Sequence, residues 1–112
     1  MRVDLKVRNT DMASALRSYI EHRLAFELGR FSEEVGRVRV RVSGLNGPRG
    51  GRKRSFRISA DFKPFGRAAV HETDLDLYAA IDRATGRISR LLRQRLEKLQ
   101  ESRFRAQIMV AA

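Results

Sequence analysis

Residues 76–99 read DLYAAIDRATGRISRLLRQRLEKL, and their apolar spacing predicts the longest helix of the chain. Apolar residues recur at steps of three and four, which places them on one face of a helix: Leu77, Ile81, Ala84, Ile88, Leu91, Leu92 and Leu99. A turn of about 100° per residue also groups arginines on one flank, Arg83, Arg87 and Arg90, with Arg93 turned further toward solvent. The stretch predicts a helix that packs by one side and offers arginines to polyanions on the other.

The charges of this helix favour a binding surface. Residues 83–95 contain five arginines and no acid. Charged helix faces that are merely solvated usually mix both signs in supporting pairs three or four residues apart. A solvated face remains the alternative, but the one-signed row favours contact with an anionic partner.

Composition points in the same direction. The chain has 112 residues, the size of one domain, with 24 Lys and Arg against 13 Asp and Glu. The net charge is +11 and the isoelectric point is about 11.4, as in many nucleic-acid-binding domains. Phosphate is therefore the first partner to consider, while membrane surfaces and acidic proteins compete for the same charge.

Several chemistries lack their usual sequence signals. There is no cysteine for a disulfide or thiolate site, and neither His22 nor His71 has a second ligand at metal spacing. No nucleophile signature or phosphate-cradling loop is present. We expect no enzyme activity, cofactor, metal or small-molecule substrate. The N-terminus has no apolar signal core and no run could span a bilayer, so a cytoplasmic protein without membrane contact is expected.

The remaining strands and helices are predicted from changes in the spacing of apolar residues along the chain. Val3, Leu5 and Val7 alternate with polar residues as a strand does, and a helix capped by Thr10 or Asp11 and ended by Gly29 follows. Residues 37–42, 56–62 and 67–72 predict three more strands, and Asp74 or Asp76 can cap the last helix. This β-α-β-β-β-α order predicts a two-layer α+β fold, with both helices on one face of a four-stranded sheet.

Three further features bear on the surface. Residues 37–42 read RVRVRV, which puts Arg37, Arg39 and Arg41 on the open face of the sheet. Residues 43–54 are glycine-rich and predict a long hairpin loop that carries Arg49, Arg52, Lys53 and Arg54. After Leu99 the periodicity is lost, so we expect a domain over residues 1–100 and a flexible tail over 101–112.

Two segments resemble the family of ribosome hibernation promoting factors and ribosome-associated inhibitors, also known as sigma-factor modulation proteins. DLYAAID at residues 76–82 is similar to the opening of the family's second helix, which continues with basic residues at Arg87 and Arg90. ALRSYIEHRL at residues 15–24 resembles the first helix, including a basic residue at Arg23. The family usually has a basic residue at the position of Phe26 and an apolar one at Glu27. The chain is most similar to the short form.

The resemblance implies a protein that binds the small ribosomal subunit, through rRNA, in the channel where messenger and transfer RNA meet, and so silences idle ribosomes by steric blockage. A monomer is expected in solution. The implied RNA contacts are a phosphate clamp of Arg83, Arg87, Arg90 and Arg93, a supporting edge of Arg23 and Arg30, and further contacts from Arg37, Arg39, Arg41, Arg52, Lys53 and Arg54.

Two other functions fit the same residues. A general RNA-binding domain would share the electrostatics but bind naked RNA as well as it binds subunits. A basic protein-interaction module would use the same surface for an acidic partner or a membrane.

Overall fold

The computed structural model describes residues 1–8, 14–46 and 52–111. Its elements follow the predicted β-α-β-β-β-α order. They are β1 (Arg2–Arg8), α1 (Ser14–Leu28), β2 (Val35–Asn46), β3 (Arg52–Phe62), β4 (Gly66–Asp74) and α2 (Leu77–Ala111), with a short 3-10 turn (Gly29–Phe31) after α1.

The four strands form one mixed sheet in the order β1-β2-β3-β4. β1 runs parallel to β2, while β2–β3 and β3–β4 are antiparallel. The register places Leu5 opposite Val40, and Val40 opposite Ile58. Because side chains alternate along each strand, the apolar residues of neighbouring strands share one face and most charged residues share the other. Glu72 and Asp74, at the end of β4, are exceptions on the helix side.

Both helices cover the apolar face, as predicted. Ile20 and Leu24 of α1 and Ile81 and Ile88 of α2 are buried in the same core as the strand residues. In the predicted stripe of α2, Leu91 and Leu99 are only half-buried, because they lie at the margin of the helix–sheet contact. The opposite face of the sheet carries no helix among the described residues.

The start of α2 and the end of α1 agree with the predicted signals. The Oδ1 atom of Asp76 accepts a hydrogen bond from the backbone N–H of Tyr78 at 3.0 Å, so Asp76 caps α2. Asp74 supports this turn by accepting the N–H of Asp76 at 2.9 Å. α1 ends at Leu28, directly before Gly29. The predicted cap at Thr10 or Asp11 lies outside the described residues.

The predicted hairpin loop over residues 43–54 is wrong in its extent. β2 continues to Asn46 and β3 begins at Arg52, with Gly44 paired to Arg54 and Leu45 to Lys53. Two antiparallel strands satisfy each other's backbone groups, so the ladder continues although the side chains are typical of a loop. Arg52, Lys53 and Arg54 therefore belong to β3, and residues 47–51, with Arg49, lie outside the described part.

The structure also differs from the flexible tail expected over residues 101–112. α2 continues as one helix to Ala111, and every side chain over residues 101–110 is exposed. The segment lacks glycine and proline, and an Arg105–Glu101 ion pair of 2.7 Å supports it one turn apart. The lost periodicity marks where packing stops, not where the helix stops. The domain boundary at residue 100 stays a prediction.

At 35 residues, α2 is about 52 Å long and gives the molecule a 65 Å long axis. Charged residues interrupt its apolar positions throughout. None of the helices in the described ranges has the length and apolar character needed to cross a membrane.

Candidate nucleic-acid interface

The flank of α2 that faces β4 holds Arg83 and Arg87, and both are paired with acids of that strand. Arg87 contacts the Glu72 carboxylate at 2.6 Å, and Arg83 contacts the same carboxylate at 3.3 Å. Arg83 also lies 2.9 Å from Asp74. The acid-free row of residues 83–95 is thus partly neutralised by carboxylates brought from another element.

These contacts shift the ionisation of the acids. The Arg87 hydrogen bond, assisted by Arg83 and opposed by partial desolvation, lowers the pKa of Glu72. The pKa of Asp74 is lowered first by the backbone N–H of Asp76 and then by Arg83. Both acids therefore stay ionised well into acidic solution, and they hold Arg83 and Arg87 in place against the sheet.

Beyond this flank, α2 presents arginines to solvent. Arg90 has no acidic partner within 4.0 Å in the part of the chain that the structure describes, and Arg93 has only a long 3.9 Å contact with Glu97. Arg87, Arg90 and Gln94 line one small depression beside β4. The guanidinium groups available for an incoming phosphate are therefore those of Arg90 and Arg93, with Arg87 adjoining them.

On its other flank α2 packs against α1, and Arg23 lies in this contact. Its Nη2 atom donates to Glu27 at 3.0 Å and to Thr85 at 3.3 Å. Its Nε atom is buried without a hydrogen-bond partner, although it lies 3.4 Å from a carboxylate oxygen of Asp82. The Arg23 side chain is only 23% exposed, so it chiefly joins the two helices.

Arg30 has a similar position at the end of α1. Its guanidinium donates to the Ser89 hydroxyl at 3.2 Å and lies over the ring of Phe31. Ser89 in turn donates to the Glu27 carbonyl at 3.1 Å. Arg23 and Arg30 thus form an edge along the α1–α2 contact, in direct contact with α2 itself.

Sequence reasoning missed the polar residues that organise this contact. Thr85 and Ser89 are buried, and the Thr85 hydroxyl donates to the carbonyl of Ile81 at 2.8 Å. Both residues are small and lie one turn apart on the side of α2 that faces α1, where Thr85 accepts a hydrogen bond from Arg23 and Ser89 donates one to the Glu27 carbonyl. Small polar residues one turn apart on a helix are a sequence signal that could have indicated a contact with another helix.

The predicted contacts on the sheet divide into two groups. Arg37 is paired with Asp4 at 3.1 Å, and Arg39 with Asp61 at 3.2 Å. Arg41 has no acid within 4.0 Å among the described residues. Lys53 and Arg54 are exposed on β3 and, because side chains alternate, they point to opposite faces: Lys53 to the open face and Arg54 to the face of Phe56. The structure therefore does not join the predicted site residues into one surface: it separates a helix group from a sheet group.

Comparison with known proteins identifies the type of domain. Residues 3–100 match the family described as sigma 54 modulation protein / S30EA ribosomal protein. The chain belongs to this family. No curated protein matches the chain.

Two solved structures share the fold of this S30EA family member. The N-terminal domain of Thermus thermophilus Protein Y is 30% identical, with a TM-score of 0.69 over 84% of this chain and 98% of that domain. A ribosomal subunit interface protein from Coxiella burnetii is 15% identical, with a TM-score of 0.70 over 87% of this chain and 99% of that one. The second likeness concerns the fold alone.

The positions where this family member departs from the resemblance are well defined in the structure. Phe26 is 72% exposed on α1, with the Arg23 guanidinium 5.8 Å from its ring centre. Glu27 turns toward α2 and is 17% exposed. The Phe26–Glu27 pair thus presents an aromatic ring to solvent and places a carboxylate where it can hold Arg23.

Proposed function

We propose that this protein binds the small ribosomal subunit in the channel used by messenger and transfer RNA, and keeps idle ribosomes inactive. The family match over residues 3–100 is the observation that carries the proposal. The net charge of +11 and the outward arginines of α2 support rRNA as the contacted component. The protein would act in the cytoplasm as a monomer.

The physical mechanism is occupation of space. Folded rRNA is recognised largely through shape and phosphates, and a rigid domain can bridge neighbouring strands without reading their sequence. Arginine suits this contact because its planar guanidinium donates two parallel hydrogen bonds to a phosphate. No bond is made or broken, so the protein would act as an inhibitor and not as an enzyme.

The surroundings of the arginines rank their contributions. Arg90 and Arg93 come first, because an incoming phosphate meets little competition from carboxylates there. Arg83 and Arg87 are about half exposed and already bonded to Glu72, so they contribute less per residue. Arg23 and Arg30 form a supporting edge whose donors are shared with Thr85, Glu27 and Ser89.

The proposal is tested by sedimentation with purified small subunits, comparing wild type with the double variant Arg90→Glu, Arg93→Glu. We expect at least about a 100-fold loss of affinity, since two charge-assisted contacts are replaced by repulsion. The control is Arg17→Glu, Arg103→Glu, which makes the same change in net charge at exposed positions on α1 and on the far end of α2. The control should bind nearly as wild type does.

Salt and competitor experiments separate the alternatives. Neutralising about six phosphates makes affinity fall by orders of magnitude over a few-fold increase in salt. Equal affinity for naked RNA and for subunits would instead indicate a general RNA-binding domain. No binding to either would leave an acidic protein partner. If both double variants lost the same affinity for subunits, net charge alone would drive association, and the proposal of a defined binding surface on α2 would be wrong.

A further inference from the structure

The open face of the sheet consists of two halves with different charge balance. In one half most arginines lie beside a carboxylate: Arg37 pairs with Asp4, and Arg39 and Arg67 share Asp61. Arg2, opposite Arg37, has no acid within 4.0 Å among the described residues. The pKa of Asp61 is lowered, chiefly through the hydrogen bond from Arg39 and then that from Arg67. This half resembles an ordinary solvated surface, in which opposite charges alternate.

The other half is a row of basic residues that crosses all four strands. The register places Lys6 opposite Arg41, Arg41 opposite Arg57, and Arg57 opposite His71. Directly opposed side chains on neighbouring strands have Cβ atoms about 5 Å apart, and like charges in that position destabilise a sheet. No carboxylate of the described residues lies within 4.0 Å of Lys6, Arg41 or Arg57. The fold therefore concentrates positive charge here without compensating it.

The row lies in a depression of about 560 Å³. The next row of the same face adds Arg8 and the hydroxyls of Ser43 and Ser55 to its wall. Ser55 is 7% exposed, and its Oγ atom is hydrogen-bonded to Nε2 of His71. Guanidinium and ammonium groups only donate hydrogen bonds, and hydroxyls can donate as well. The depression thus presents donors and positive charge on several sides.

We propose that this depression binds a phosphate-rich anion, on the face of the sheet opposite the helices. Neighbouring strands are about 4.8 Å apart, so Lys6, Arg41 and Arg57 span about 10 Å. A chain of two or three phosphates matches this length, so that each of the three side chains can meet a separate phosphate group. The ligand is therefore an oligophosphate, either free or as the backbone of an RNA strand. The site is separate from the α2 surface, and the inference does not depend on the proposed function.

The test measures binding of inorganic tripolyphosphate by calorimetry to the full chain. The variant Arg41→Ser, Arg57→Ser removes the centre of the row, and Arg37→Ser, Arg39→Ser removes the same charge from the compensated half of the same face. We expect at least a tenfold loss of affinity in the first variant and less than about threefold in the second. Thermal unfolding checks that both variants fold, and relief of like-charge repulsion should keep the first at least as stable as the second.

A parallel titration with a single-stranded RNA of about ten nucleotides lacking terminal phosphates identifies the source of the ligand. Selective loss of tripolyphosphate binding in Arg41→Ser, Arg57→Ser assigns the site to free oligophosphates, and selective loss of RNA binding alone assigns it to phosphodiesters. Either result supports the site. Equal effects of the two variants on both ligands, or no binding of either by wild type, would overturn it. The Arg90→Glu, Arg93→Glu variant should still bind tripolyphosphate, which separates this site from the proposed subunit contact.

Discussion

Arg87 and Arg90 lie three residues apart on α2, yet they belong to two different regions of the surface. Arg87 lies on the flank against β4, where Glu72 holds its guanidinium at 2.6 Å. Arg90 lies toward solvent, with no acid nearby among the described residues. In the sequence both arginines belong to the same acid-free run. Charge counted along a helix therefore does not tell which arginines are available, because the neutralising acids come from an adjacent strand.

The same distinction holds on the sheet. Arg39 and Arg41 are two residues apart in RVRVRV and point to the same face. Among the described residues Arg39 meets a carboxylate, that of Asp61, and Arg41 meets none. Availability for a phosphate is therefore a property of tertiary contacts. Each basic surface of this protein has a compensated part and an uncompensated part, and binding is expected at the uncompensated one.

The largest expected effect is on stability, when the same new side chain is placed on the buried side and on the exposed side of α2. Ile81→Asp puts an unpaired carboxylate at a position with no solvent exposure, which should destabilise the domain by more than about 4 kcal/mol. That is most of the stability of a small domain, so the variant should lose its cooperative thermal transition by circular dichroism. Arg90→Asp, the same new side chain on the outer side, should keep the transition. A folded Ile81→Asp variant would contradict the burial of Ile81 in the core.

A smaller effect should distinguish the two regions by pH. The lowered pKa of Glu72 means that its pairing stabilises the fold above the ordinary glutamate pKa of about 4.3, and that this contribution is lost as pH falls below it. Between about pH 7 and pH 3 the free energy of unfolding should therefore fall less in Arg87→Ala than in wild type, by less than about 1 kcal/mol. Arg90→Ala should leave that difference unchanged. Urea unfolding at the two pH values measures it, and identical curves for both variants would show that the Glu72 contact adds no stability.

Much of the fold could be predicted from the sequence because its signals are local. The alternation of Val38, Val40 and Val42 fixes which face of β2 is buried. Residue type and place narrow the helix cap to Asp74 or Asp76, and the structure uses Asp76. The extent of the hairpin could not be predicted in this way. Gly44 and Arg54 have the chemistry of a loop, and only the backbone ladder between them makes them part of strands.

The candidate site was less predictable, for a related reason. The arginines of α2 are visible in the sequence, but their partner Glu72 precedes them by 11 and 15 positions on another element. The apolar spacing of α2 predicts its buried stripe, but it does not indicate that the hydroxyls of Thr85 and Ser89 are buried as well. Which arginine joins the helices and which faces solvent depends on contacts that no period or spacing specifies.

The smallest effect concerns the two parts of α2, the segment packed on the sheet and the segment that extends beyond it. Ala106→Gly lies in the extension and should weaken the helix locally by about 1 kcal/mol, since glycine gains the most backbone freedom on unwinding. The midpoint of global unfolding should not change, because the side chains of residues 101–110 are exposed and contribute nothing to the core. Amide hydrogen exchange should quicken over residues 101–111 and stay the same around Ile88. A shift of the unfolding midpoint would show that the extension is coupled to the domain, and would move the domain boundary beyond residue 100.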